Sequence, residues 1–262
     1  MSLEFSITAF ARLLALSLVI QTVEAISLTR RQDVRDLWDW TIQRNDLGHA
    51  SVLVQKLFAF LFKDQIHFIH LILRLCAALS LVIAPHAVAA IFLFISTVIL
   101  LFRWRGAFNG GSDFMTLVTV TGLLIGTCAS SFVDLITAWS AAFWYVTIHS
   151  VSSYFMSGAV KLLNQHWRRG SALTHFLDGG LYGPLKKQSL FKNPLIAKGA
   201  SWAFILWEIS FPSVLFDVDL AIIYCVVAFI FHLLVFRFFG LNRFVWAWVA
   251  TFPAILYCAG RL

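Results

Sequence analysis

The chain has 262 residues, of which 60% are hydrophobic and only 13% are charged, and its mean hydropathy is +0.83. An average soluble domain has about 25% charged residues, so this composition excludes an ordinary soluble protein and indicates an integral membrane protein. The formal net charge of +7 lies mainly in connections between apolar segments, which favours a role in membrane topology and argues against nucleic-acid binding.

Eight apolar segments approach the roughly 20 residues that a helix needs to cross a bilayer. They are 4–27, 66–84, 86–102, 115–131, 138–162, 199–215, 219–239 and 244–259. The sequence therefore predicts an all-α integral membrane protein with about eight transmembrane helices, forming a single domain over residues 1–262. The N-terminal region carries Glu4 and only one basic residue, Arg12, before a long apolar run, so we interpret the first segment as an uncleaved span.

Two further segments, 33–62 and 172–191, mix charged and bulky apolar residues. We expect interfacial amphipathic helices there, the second forming a surface flap under the bundle. The connections after the first, third, fifth and seventh spans carry Lys or Arg, whereas the alternate turns carry none. This pattern predicts that the basic connections are cytoplasmic and that both termini lie outside.

A line of polar residues follows the fifth segment at spacings of three or four, which predicts one slowly drifting helix face. Its members are Tyr145, His149, Ser152 or Ser153, Ser157 and Lys161. In a bilayer such a face points into the bundle or at a cavity. Two alternatives remain open: Ser157 and Gly158 would serve helix–helix packing alone, and Lys161 would extend its ammonium to the lipid headgroups.

Other polar residues also lie within apolar segments. Arg74 and Glu208 are expected to neutralise each other as an ion pair, and His232 is either a packed histidine or a proton or quinone contact. The isolated cysteines have no metal-ligand spacing and are interpreted as small buried hydrophobes; they are Cys76, Cys128, Cys225 and Cys258. The NGGSD segment, 109–113, fits a helix cap and lacks the context of a phosphate loop.

Four stretches resemble the horizontally transferred transmembrane (HTTM) proteins, which are related to the membrane domain of vitamin K-dependent gamma-carboxylase. YFMSGAVKL (154–162) is similar to the YFxxGxxKL motif of the family, and FVDLITAWS (132–140) to F-x-D-x-x-x-x-W-S. NGGSD resembles the loop before the preceding span, and FHLLVFRFFGLNRFVWAWVATFP (231–253) resembles the late His, Gly and terminal helix. The resemblance covers about 100–253.

The resemblance implies a bacterial inner-membrane protein that binds a quinone (vitamin K-like) and has a quinone-dependent carboxylase-like or oxidoreductase activity. Lys161 matches the lysine that deprotonates the quinol, and His149 and His232 are candidate proton or quinone contacts. Residues of the same motifs would bind the cofactor: Asn109, Ser112, Trp139 and Tyr154. Membrane lipids and a membrane or redox protein are the expected partners, and no metal site is expected.

The chain departs from the carboxylase in three respects, one of which is that the spacing from Lys161 to Trp167 is one residue longer. A functional histidine of the carboxylase aligns with Gly111, and no large lumenal domain follows the membrane part, so glutamate gamma-carboxylation in the vertebrate sense is not expected. The alternative function is a non-enzymatic membrane component of a peptide or toxin maturation or export system, with a partner chain docked on the basic surface that includes Arg168, Arg169, Lys186 and Lys187.

Overall fold

A computed structural model describes residues 1–31, 39–104, 110–181 and 183–261, and within these residues the chain is helical, with no strand. The first helices are α1 (Leu3–Thr29), α2 (Trp40–Gln43), α3 (Val52–Leu61), α4 (Asp64–Ser80), α5 (Ala87–Trp104) and α6 (Gly110–Ala129). They are followed by α7 (Leu135–Leu163), α8 (Gln165–Arg168), α9 (Ser171–Asp178), α10 (Pro194–Ile209), α11 (Val218–Phe239), α12 (Asn242–Val249) and α13 (Phe252–Cys258). The all-α prediction is confirmed.

Among the described residues, four helices are long and apolar enough to cross a membrane: Leu3–Thr29, Ala87–Trp104, Gly111–Ala129 and Val218–Phe239. The other four predicted spans also contain helix, but α4 and α10 have only 17 and 16 residues, and α7 carries the polar residues described above. The predicted last span, 244–259, is wrong as a continuous helix. It divides at Thr251 into α12 and α13, because the ring of Pro253 is tolerated only in the first turn of a new helix.

The long helix α7 lies at the centre of the bundle, packed against α6, α10 and α13, while α1 packs against α4, α12 and α13. Small residues permit the closest of these contacts. A Cβ atom at Gly126 would lie 2.7 Å from the ring of Trp139, and one at Gly122 would lie 2.4 Å from a methyl group of Val146. Gly122 and Gly126 therefore allow α6 and α7 to pack closely, because they have no side chains at this interface.

The basic connections lie together at one end of the bundle, called the basic end below. There Arg243 forms ion pairs with Glu24 (3.1 Å) and Asp113 (3.4 Å), which joins α12 to the end of α1 and the start of α6. The Arg30 guanidinium stacks over the ring of Phe68 at 5.9 Å, which joins α1 to α4. The amphipathic α3 contains no buried residue and lies on the surface; residues 33–38 of the predicted 33–62 segment fall outside the described residues.

The expectation of four buried cysteines is wrong for two of them. Cys225 and Cys258 are buried, but Cys76 is exposed and Cys128 is half-buried. Cys76 lies on the outer face of α4, where a small apolar side chain suits contact with lipid as well as it suits a core.

Candidate functional site

Lys161 forms a buried ion pair with Glu208 near the basic end of α7. Its Nζ atom lies 2.6 Å from each carboxylate oxygen of Glu208 and 2.6 Å from the Ser157 hydroxyl, so each of the three ammonium hydrogens has an acceptor. The Ser157 hydroxyl also contacts Glu208 Oε1 at 3.1 Å. The side chains of Lys161 and Glu208 are 16% and 3% exposed, so the ammonium points into the bundle and not out to the headgroups.

The expected ion pair between Arg74 and Glu208 is therefore wrong. Arg74 is buried between α4 and α5, where it donates hydrogen bonds to the hydroxyls of Ser96 and Thr97, both at 3.0 Å. Both candidate cations lie in apolar segments, and only the packing of the helices decides which of them meets the carboxylate.

Gly158 brings α10 close enough for this pairing. A Cβ atom at Gly158 would lie 2.7 Å from the backbone nitrogen of Ile209 and 2.8 Å from the Cβ of Glu208. The small residue and the lysine are three positions apart, so they share one face of α7. The close approach of the backbones thus places the Glu208 carboxylate directly under Lys161.

A cavity of about 180 Å³ opens beside the ion pair, between α7, α9, α10 and α11. Lys161 and Glu208 line one side of it, and the indole of Trp167 lies 5.2 Å from the lysine Nζ atom. The rest of the lining is apolar and rich in phenylalanine, with Phe176, Phe191, Phe204, Phe231, Phe238 and Phe239. The cavity therefore suits an apolar ligand with a ring or branched chain that presents one polar group to Lys161.

The predicted flap, 172–191, closes this cavity from the basic end. Leu173, Phe176 and Leu177 of α9 face the cavity, and Leu181 donates a backbone hydrogen bond to Phe238 of α11 at 3.0 Å. The turn that enters α9 requires Gly170, which has φ +80° and lies against the backbone of the start of α10. The flap is thus part of the site wall, although its sequence shows only an amphipathic surface element.

Asp178 holds the flap in place through two contacts. Its carboxylate accepts a hydrogen bond from the backbone N–H of Leu185 (2.8 Å) and forms an ion pair with Lys192 (3.1 Å). These contacts lower the pKa of Asp178, the backbone bond contributing most. A lowered pKa means that the contacts stabilise the flap at neutral pH and are lost as the pH falls below about 4.

We expect the Asp178→Ala variant to open the flap. Limited trypsin digestion at pH 7.5 should then cleave after Lys186 or Lys187 several-fold faster than in the wild type, because the segment between Asp178 and Lys192 loses both anchors. Asp219→Ala, which removes an exposed carboxylate of α11, is the matched control. Equal cleavage rates in the two variants would contradict an anchoring role.

His232 lies in a second buried cluster on the other side of α11. Its Nε2 atom is 2.6 Å from the Tyr154 hydroxyl, its ring stacks on Trp248 at 5.2 Å, and its Nδ1 atom has no hydrogen-bond partner among the described residues. The ring of Tyr154 stacks on Phe211 at 3.9 Å. Phe231, which precedes His232 in the sequence, lines the phenylalanine-rich cavity. His232 and Tyr154 contact each other, but they do not line that cavity.

The remaining predicted site residues lie elsewhere. His149 is exposed on α7, with its ring 4.6 Å from that of Tyr145. Trp139 is buried in the core against Phe10 and Phe143. Ser112 is buried in the first turn of α6, and Asn109 lies outside the described residues.

Two residues of the site were not predicted as such: Glu208 as the partner of Lys161, and Trp167 beside its ammonium. The signals were present, since Glu208 is a lone carboxylate in an apolar segment and Trp167 follows Lys161 by six residues. Neither signal gives the distance between helices.

The chain matches no protein-family model. Comparisons with curated proteins and with solved structures also find no match.

Proposed function

We propose that the protein binds a quinone-like or other isoprenoid lipid in the phenylalanine-rich cavity and uses Lys161 on its polar group, in a redox or carboxylase-like reaction. The observation that carries the proposal is the position of a buried Lys–Glu ion pair on the wall of an otherwise apolar cavity. Charged groups at membrane depth are costly and mark functional sites. The resemblance of 154–162 to the YFxxGxxKL motif supports the same residue.

The cavity fits such a ligand in both shape and chemistry. Its phenylalanine rings provide stacking partners for a planar ring, and its volume of about 180 Å³ accommodates the ring or the first units of a branched chain. Lys161 could donate a hydrogen bond to a ring oxygen in place of one of its present acceptors, Ser157 or Glu208. A quinol, when bound, would supply an acidic hydroxyl group at this position.

Lys161 can accept a proton only after its ammonium has lost one, and Glu208 is the acceptor in direct contact at 2.6 Å. Transfer of that proton to the Glu208 carboxylate leaves a neutral amine beside a neutral carboxylic acid. The Nζ lone pair left by that proton points at Glu208, so the amine would have to rotate about its Cε–Nζ bond before it could take a proton from a ligand hydroxyl. Ser157 keeps the amine in position throughout by its hydrogen bond.

The same proposal places the chain in a bacterial inner membrane, with about eight spans and both termini outside. Helices in all eight predicted segments support the span count, and the grouping of the basic connections at one end supports the orientation. The short helices α4 and α10 would cross by thinning the bilayer or through their flanking turns.

We expect an isoprenoid lipid to co-purify with the detergent-solubilised protein at close to one molecule per chain, as measured by native mass spectrometry and lipid extraction. Leu234→Trp, which fills the cavity from α11, should reduce its occupancy at least tenfold. Leu233→Trp adds the same bulk at the adjacent exposed position and should leave occupancy unchanged. Lys161→Arg keeps the cation and remains protonated, so it should retain the ligand while abolishing base chemistry.

A protein that is folded, free of bound lipid and unaffected by Leu234→Trp would contradict the proposal. That result would favour the non-enzymatic alternative, and the next measurement would be capture of a partner chain on the basic end.

A further inference from the structure

Tyr154 and His232 form a buried hydrogen-bonded pair outside the phenylalanine-rich cavity, which is called the lipid cavity below. The Tyr154 hydroxyl lies 2.6 Å from His232 Nε2, and the two residues are 3% and 1% exposed. Aromatic rings surround the pair: Phe211 stacks on Tyr154 at 3.9 Å, and Trp248 stacks on His232 at 5.2 Å. The pair is therefore a phenol and an imidazole in direct contact and shielded from water.

The hydrogen-bond inventory of the pair indicates that the phenol is the donor. If Tyr154 donates to Nε2, the ring proton of His232 lies on Nδ1, and only this donor has no partner among the described residues. If Nε2 donates to the phenol oxygen, both the phenolic proton and the Nδ1 lone pair lack a partner there. The first arrangement leaves fewer buried groups unpaired, and such groups are costly. The phenolic proton of Tyr154 therefore points at a base.

A second buried tyrosine shows that a phenol can be buried without a base. Tyr257 is also 3% exposed, and its hydroxyl lies 2.9 Å from the Ser140 hydroxyl. A serine partner satisfies the phenol without placing a ring nitrogen in the core, so packing alone does not call for an imidazole. At Tyr154 the partner is a histidine whose Nδ1 atom is left unpaired. What the imidazole adds is the ability to accept the phenolic proton.

Aromatic rings also connect Tyr154 with the lipid cavity. The ring centroid of Tyr154 lies 5.4 Å from that of Trp207, and the ring centroid of Trp207 lies 5.6 Å from that of Phe231. Phe231 lines the cavity. At these distances each ring contacts the next. An electron can therefore pass between Tyr154 and a ligand in the cavity through contacting π systems.

We propose that Tyr154 is a redox-active residue, oxidised by one electron as its phenolic proton moves to His232 Nε2. The O–H bond breaks, an N–H bond forms, and the products are a neutral tyrosyl radical and an imidazolium. The electron passes through Trp207 and Phe231 to an oxygen-centred organic radical in the lipid cavity. That radical becomes an oxyanion, which takes a proton from the Lys161 ammonium. The ligand rests on the proposed function, whereas the redox property of the Tyr154–His232 pair does not.

The test is electron paramagnetic resonance of the full chain in detergent, without added ligand, after ultraviolet illumination of the frozen sample. Illumination removes electrons from aromatic side chains, and on warming the radical should remain on the phenol whose proton has a base to accept it. We expect a tyrosyl signal, identified by its change with ring-deuterated tyrosine, and we expect Tyr154→Phe to remove most of it. Tyr257→Phe is the matched control and should leave the signal intact, because Ser140 is no base.

His232→Gln is the second variant. Its amide oxygen can still accept the phenolic hydrogen bond but cannot keep the proton, so the tyrosyl signal should decay at a lower temperature than in the wild type. A signal that survives Tyr154→Phe, or one that decays alike in wild type and His232→Gln, overturns the proposal. A Tyr154 signal in a protein that carries no lipid supports the redox assignment of the pair and contradicts the proposed function alone.

Discussion

Glu208→Ala is expected to destabilise the protein by about 3–5 kcal/mol, which is the usual cost of leaving one partner of a buried ion pair without the other. The Lys161 ammonium would keep only the Ser157 hydroxyl as a side-chain acceptor at 2.6 Å, in surroundings that are otherwise apolar. The free energy of unfolding can be measured by SDS titration in mixed micelles, with circular dichroism as the signal.

A double-mutant cycle separates the ion pair from general packing. Lys161→Met should cost a similar amount, because it leaves the Glu208 carboxylate buried and unpaired. The double variant Lys161→Met/Glu208→Leu removes both charges and should cost less than either single change, since an apolar pair of similar volume replaces a buried ion pair at little loss. Additive costs would mean that the two side chains do not form the pair in the membrane.

The sequence predicts the helices better than the contacts between them. Hydropathy and length identify each apolar segment independently of its neighbours, and a helix is found in all eight. The sequence also reduces the possible positions of the Lys161 ammonium to two, the interior of the bundle and the lipid headgroups. Those inferences need only local information.

The polar line on α7 shows where local information is insufficient. Steps of four residues advance about 40° beyond a full turn, so the line from Tyr145 to Lys161 rotates by roughly 160° around the helix. His149 is therefore exposed while Ser157 and Lys161 face α10. The sequence places all of these residues on one drifting face, and the drift is large enough to separate His149 from the site.

Which cation meets Glu208 depends on the packing of helices far apart in the sequence. Arg74 and Lys161 are equivalent in hydropathy terms, and neither motif spacing nor composition distinguishes them. The deciding contact is made by Gly158, where the absence of a side chain lets α10 approach. A glycine in a helix is visible in the sequence, but the helix that packs against it is not.

Gly158→Ala should destabilise the protein by about 1–3 kcal/mol, because the added methyl group would lie 2.7 Å from the backbone nitrogen of Ile209 and forces the helices apart. Gly199→Ala is the matched control on α10, since nothing lies within 4 Å of a Cβ at that position. There the higher helix propensity of alanine should stabilise the protein by about 0.5–1 kcal/mol.

The combination of Gly158→Ala with Glu208→Ala tests whether the close approach of the helices serves the ion pair. If separation of the helices has already weakened the contact between Lys161 and Glu208, the second change should cost clearly less than it does in the wild type. The same displacement would widen the wall of the lipid cavity, which both charged residues line. Gly158→Ala should therefore also lower the lipid occupancy that Gly199→Ala leaves intact. Additive stability costs with unchanged occupancy would show that Gly158 packs the helices without positioning Lys161.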